Sequence, residues 1–359
     1  MGSDVACMAS SDRADYSLIG DVLYWLGYDR LEDRFSFMPH PVIFYGLVVV
    51  FAGVVAVQGS RMLMGYKIVY FTNPSALINP SLSLVTPFVI VYLHRRYRQV
   101  LEHIDVESRT SKPEAFDNLA PKWLQLGLYS AFLINAIYQF GINQGINRVL
   151  QTGGMPELFG VFILLPLGHG VIISEFLATY AGILLFFPHK IRKTDFKINF
   201  LDPEGLGGLR PVGELMKSAY YFLMLGLIAS AIALYGPSIV SGVSSIQYGI
   251  GFVQQLLFTL AWLLAIGLVG YGLAQIHWFM KREKRKELTK LDRKARKMVD
   301  KPFEIQNLEI TDEEKYDELR MRMNYINNTR EYPTTFTMWA QLSIGVILPK
   351  AIQMLLSTV

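Results

Sequence analysis

The 359-residue chain is 52% apolar, has a mean hydropathy of +0.29 and carries only 18% charged residues, which is more apolar material than a soluble core requires. Its net charge of +4 is small, and its 34 Lys and Arg residues cluster in a few loops between apolar runs, a pattern of membrane topology and not a nucleic-acid footprint. The single cysteine, Cys7, excludes an intramolecular disulfide and a Cys-rich metal site.

Residues 1–39 mix Asp, Glu and Arg with "LIGDVLYWLGY" and lack the basic start, apolar core and small-residue cleavage site of a signal peptide. They are expected to form a cytoplasmic N-terminal segment. From there the chain holds seven apolar stretches near the roughly 20 residues that a helix needs to cross hydrocarbon. They fall at about 41–57, 76–93, 123–147, 158–187, 218–240, 249–280 and 335–359. The expected fold is an all-α integral membrane protein of seven transmembrane helices. Its expected divisions are a six-helix membrane region (40–280), a cytoplasmic helical anchor region (281–334) and a seventh span (335–359).

Thirty of the 34 Lys and Arg residues lie in the N-terminal segment and in the loops at 94–122, 188–217 and 281–334, against Arg61, Lys67 and Arg148 on the other side. The positive-inside rule then puts the N-terminus in the cytoplasm and, after seven crossings, the C-terminus outside. The expected location is the cell membrane, crossed many times.

The third span carries "NAIYQFGINQGINR", in which Asn135, Gln139 and Asn143 share one helical face beside Tyr138. Such amides either bond neighbouring helices or line an outward-facing vestibule. Ionisable residues within spans are functional candidates, and here they are His169 and Glu175 in the fourth span, His277 late in the sixth and Lys350 in the seventh. Counted from the cytoplasmic helix ends, Glu175 and Lys350 lie at similar depth, so they are candidates for an intramembrane ion pair. Asn135, Tyr138, Gln139 and His169 are the candidate ligand-binding set.

The loop "INFLDPEGLGGLRPVGEL" is rich in glycine, but no strand precedes it and no Lys-Ser pair follows, so it reads as a tight turn held by Asp202 and Arg210 in preference to a phosphate cradle. The sixth span runs into "WFMKREKRKELTKLDRKARKMVD", which has no Gly or Pro before Pro302 and is rich in helix formers, so its helix is expected to continue into the cytoplasm. There Lys281, Arg282, Lys284 and Arg285 are candidates for contact with anionic lipid. In "EITDEEKYDELRMRMNYINNTREYP" a Thr followed by acids marks the start of a second cytoplasmic helix.

Retinal proteins carry a Lys on the last span, as Lys350 would allow, but the third span lacks an acidic counter-ion. Membrane zinc hydrolases need several intramembrane His residues, and the last span has none. Seven spans with the N-terminus inside, a prolonged sixth helix and a short helix before the seventh remain. That layout, together with Thr334 and Gln341 of "TTFTMWAQL", resembles the insect-chemoreceptor-like seven-transmembrane ion channel superfamily, of which the chain would be a divergent member. Thr335 and Leu342 stand where the family signature has aromatics. The resemblance implies homotetramers, a cytoplasmic anchor of packed helices and a cation pore lined by the seventh helices. Thr334, Thr337, Gln341 and Leu348 would form that lining.

The resulting expectation is a ligand-gated cation channel, not an enzyme. Its partners would be itself, membrane lipids and a small-molecule ligand, with no cofactor, metal or nucleic acid. Two alternatives are a secondary transporter using Glu175 and His169 and a membrane scaffold or sensor that binds lipid or a partner.

Overall fold

The computed structural model describes residues 17–35, 37–68, 70, 77–143, 145–239, 252–300, 309–332, 351 and 354. The architecture is all-helical, with one two-residue antiparallel ladder pairing Val299 with Ile310 and Asp300 with Glu309. Two short helices, α1 (Leu18–Trp25) and α2 (Tyr28–Arg34), precede α3 (Pro41–Leu63) and α4 (Ile78–His103). Next comes α5 (Lys122–Ala136), which continues in π-helical turns over Ile137–Asn143. Helix α6 (Gly153–Lys193) carries a break at Gly154 near its start, and α7 (Arg210–Ile239), α8 (Phe252–Arg296) and α9 (Glu313–Asn328) complete the order.

Four helices among the described residues are long and apolar enough to cross a membrane: Pro41–Leu63, Gly153–Lys193, Arg210–Ile232 and Phe258–Arg296. They correspond to the first, fourth, fifth and sixth expected spans. The second and third expected spans are also helices, α4 and α5, diluted by Asn79, Pro80, Pro87 and the "HRRYRQ" end in one and by its polar residues in the other. The seventh span, apart from residues 351 and 354, lies outside the described residues.

Helix α4 is the hub, packing on α3, α6 and α7. Small residues let these helices approach closely: a Cβ on Gly46 of α3 would fall 2.5 Å from the Pro87 ring of α4, and one on Gly272 of α8 would collide with the Leu184 carbonyl of α6. The main core occupies one end of the bundle, where Tyr97, Phe116, Phe187, Phe196 and Phe279 are buried together with Leu209, Val212 and Met280. Tyr97 and Phe187 meet edge to face at 5.1 Å, and the series continues through Phe116 and Phe196 to Phe279. Each such pair adds about 0.5–1.5 kcal/mol beyond its buried area.

The same end gathers the basic loops. The Lys197 amide donates to the Arg109 carbonyl at 2.9 Å, and the Arg330 amide donates to the Gly205 carbonyl at 2.7 Å. Lys122 pairs with Asp21 of the N-terminal segment at 2.7 Å. At the opposite end Arg61, only 5% exposed, pairs with Glu157 and donates to the Lys67 carbonyl at 3.2 Å.

The prolonged sixth helix is borne out: α8 runs unbroken for 45 residues, about 67 Å at helical rise. The helix expected to start at a Thr starts instead at Asp312, whose carboxylate accepts from the Lys315 amide at 3.2 Å and caps α9.

Candidate functional site

A cavity of about 400 Å³ opens between α3, α4, α5 and α6, away from the aromatic core. Its walls carry Leu164, Phe132 and Phe140, and its polar groups are Gln58, Asn79, Ser83, Thr86, Glu157 and His169. The local backbone explains the space. Helix α3 is π-helical over Ala52–Val57, α5 continues as π turns over Ile137–Asn143, and α6 is π-helical over Gly160–Gly170.

A π turn adds a residue per turn, widens the helix and disturbs the backbone ladder, which is why such turns concentrate at functional sites. In α6 the ring of Pro166 removes an amide donor within the widened stretch. The Tyr45 hydroxyl donates to the Leu167 carbonyl there. Gly53, Val57, Phe140, Gly160, Leu164 and His169 all line the cavity from these widened turns.

The His169 ring bonds the Ser83 hydroxyl across the cavity. Gly168 and Gly170 flank it so closely to Val49 and Phe132 that a Cβ at either would clash. The Arg61–Glu157 pair lies at the cavity's outer edge, with Glu157 in its wall. Gly154, at φ +67° beside the Tyr66 ring, provides the turn that brings Glu157 there. A mostly apolar chamber with a few converging polar groups suits a small neutral ligand.

Of the expected ligand set, only His169 lines this cavity. Asn135 is exposed and Tyr138 is 53% exposed; Gln139 shares the face of Asn135 but is not in the lining. The neighbours Phe132, on the α-helical part of α5, and Phe140, on its π turns, reach the cavity instead.

Glu175 is 1% exposed. Its carboxylate accepts from the Leu18 amide at 3.2 Å and from the Gln125 side chain at 3.1 Å. The first residue of α1 is therefore docked on a carboxylate of α6, an arrangement favoured by the positive end of a helix. Lys350, its expected partner, lies outside the described residues, as do the expected pore-lining residues Thr334, Thr337, Gln341 and Leu348.

The glycine loop explains itself once Asp202 is located. Its carboxylate accepts from the Glu204 amide at 3.3 Å and from the Leu206 and Gly208 amides at 2.9 Å each. Gly205, Gly207 and Gly208, all at positive φ, turn the amides inward, so the chain's own carboxylate fills the anion nest. Arg210, at the start of α7, bonds Glu204 of the loop and Glu214 one turn on. Nearby, Asp195 accepts from the Ser111 amide at 3.0 Å and from the Thr110 hydroxyl at 2.8 Å, and these bonds pull its carboxyl down to about 2.

The four basic residues after Met280 have separate positions. Lys284 donates to the Asn327 carbonyl at 2.9 Å and the Thr329 carbonyl at 2.7 Å, capping the end of α9. Arg282 bonds Glu283 at 3.2 Å, Lys281 is half-buried and Arg285 is exposed. One turn before them, the His277 ring bonds the Glu331 carbonyl at 3.0 Å and stacks on Tyr332 at 4.2 Å.

Sequence reasoning missed Ser83, Glu157 and Arg61. No local signal pairs Arg61 with a residue 96 positions away. The chain matches no protein-family model, and it matches neither a curated protein nor a solved structure.

Proposed function

We propose that this protein is a seven-span, homo-oligomeric cation channel gated by a small ligand in the cavity between α3, α4, α5 and α6, with the apolar segment after α9 lining the pore. The N-terminus is cytoplasmic and the C-terminus is outside. The convergence of the basic loops at one end of the bundle, opposite the Arg61–Glu157 pair, supports that orientation.

The observation that carries the reading is the clamp between α8 and the stretch leading into the last apolar segment. Lys284 holds the carbonyls of Asn327 and Thr329, and His277 holds Glu331 and Tyr332. A single rigid helix thus grips the chain immediately before residue 333. A shift of α8 against α6 and α7 is transmitted to the segment that follows. The π-helical turns around the cavity supply deformable stretches, one of them in α6, whose C-terminal part packs on α8.

The test is recording from the full-length protein in planar bilayers during a screen of neutral compounds small enough for about 400 Å³. Evoked currents should appear, Gln341→Ala should change their unitary conductance, and His169→Phe, which fills the cavity, should abolish the evoked component. Unchanged conductance in Gln341→Ala would remove the pore assignment.

The transporter alternative requires His169 and Glu175 to share one path. Glu175 is buried against Leu18 and Gln125 and is not in the cavity lining, so the channel reading is preferred.

A further inference from the structure

A second and larger concavity, about 700 Å³, lies at the basic end of the bundle. One wall is residues 194–200, the strap leaving α6, and the other is a stripe of α8 formed by Arg282, Glu283, Lys286, Glu287 and Lys290. Those α8 positions recur at three- and four-residue spacing and share one face. Phe196 and Ile326 are buried in its floor, and Ile198 and Phe200 are half-buried.

We infer that this groove is a binding site for a phosphomonoester-bearing anion of the inositol-phosphate kind, held by Lys197, Arg282, Lys286 and Lys290. Four cations face three carboxylates around the groove, and the carboxylates are already engaged. Asp195 is turned onto Thr110 and Ser111. Glu283 pairs with Lys286 at 3.3 Å and Glu287 with Lys290 at 2.5 Å, one turn apart on α8.

Exposed pairs of that spacing are worth only a few tenths of a kcal/mol, so the lysines are exchangeable toward a dianionic phosphate. Lys197 is exposed on the opposite wall, which puts cations on both sides of the ligand. The nearby anion nest is filled by Asp202, leaving side chains and not backbone amides as the recognition elements.

Depth favours a ligand at a membrane surface. Met280 is buried in the core and Lys290 is ten residues further along α8, about 15 Å at helical rise, so a groove that starts at Arg282 spans the ~5–8 Å of one headgroup layer and the water beyond it. The apolar floor accommodates the glycerol end of a lipid as readily as the ring of a free headgroup. The inference rests on this end being cytoplasmic and membrane-adjacent, and it holds whether or not the protein conducts ions.

The test uses the full-length protein in detergent and a fluorescent dioctanoyl phosphatidylinositol bisphosphate, read by anisotropy. The triple variant Lys197→Gln, Lys286→Gln, Lys290→Gln should weaken binding by roughly ten- to a hundredfold, since each basic residue near such a surface contributes on the order of tenfold or less. The matching Lys→Arg triple should restore it. The off-groove triple Arg293→Gln, Lys294→Gln, Lys297→Gln, exposed residues outside the groove lining, should change it by about threefold or less.

Competition separates the sources. Displacement by soluble inositol trisphosphate as effective as by unlabelled lipid assigns a free phosphate ligand, and displacement by the lipid alone assigns a membrane headgroup. Equal displacement by dioctanoyl phosphatidylserine, which has no phosphomonoester, would overturn the inference. So would equal losses in the groove and off-groove triples.

Discussion

Glu175 joins the N-terminal segment to the membrane bundle through the Leu18 amide and the Gln125 side chain. Removing an acceptor that two donors share leaves them unsatisfied, at about 1–3 kcal/mol. Glu175→Ala should therefore lower the thermal midpoint and speed tryptic cleavage at Arg30 and Arg34, while Glu175→Gln, which retains a carbonyl acceptor, should lie between Ala and wild type. Equal cleavage in all three proteins would remove the docking role. At Asp195 the hydrogen bonds hold the folded carboxyl near 2, below its ordinary 3.8. Its contribution is complete above about pH 4 and fades as pH falls toward 2. Hydrogen exchange of residues 194–200 should therefore be flat from pH 5 to 8 after correction for intrinsic rates, and Asp195→Ala should raise it across that whole range. The chemistry of Glu175 was visible in sequence as an ionisable residue in an apolar run, but its partners were not, because residues 157 positions apart leave no periodic trace.

At the scale of elements, apolar runs and helix formers made α3 to α8 legible, and the prolongation of α8 followed from the absence of Gly and Pro over residues 278–301. Helix α7 starts at Arg210, eight residues before the apolar run, because Arg210 bonds Glu214 one turn on and polar first turns are invisible to hydropathy. The π-helical turns of α3, α5 and α6 were also illegible, since hydrophobic periodicity presumes 3.6 residues per turn. Phe140, on the π turns of α5, reaches the cavity where α-helical spacing did not place it. Close approach of α8 to α6 at Gly272 is a packing requirement. Gly272→Ala should destabilise the bundle by about 1–3 kcal/mol, read as a lowered midpoint in detergent, whereas Gly267→Ala, with open space at its Cβ, should be neutral. Equal midpoints would show that the α6–α8 contact is looser than the geometry requires. Lys284→Ala frees the carbonyls of Asn327 and Thr329 and should increase hydrogen exchange over 325–332 while leaving 313–318 unchanged.

At the scale of the whole molecule, loose helices around a cavity occupy one end and a tightly bonded aromatic and loop-capped core the other. Helix α8 packs on the C-terminal part of α6 and on α7 within that core and holds the chain that enters the last apolar segment. The channel reading requires that segment to meet its copies around a central axis, so the assembly decides the account. The decisive measurement is the mass and symmetry of the full-length protein in nanodiscs, by mass photometry and two-dimensional class averages. A fourfold particle near four times the 40.7 kDa chain is the predicted result, and a monomer without a central axis would contradict it.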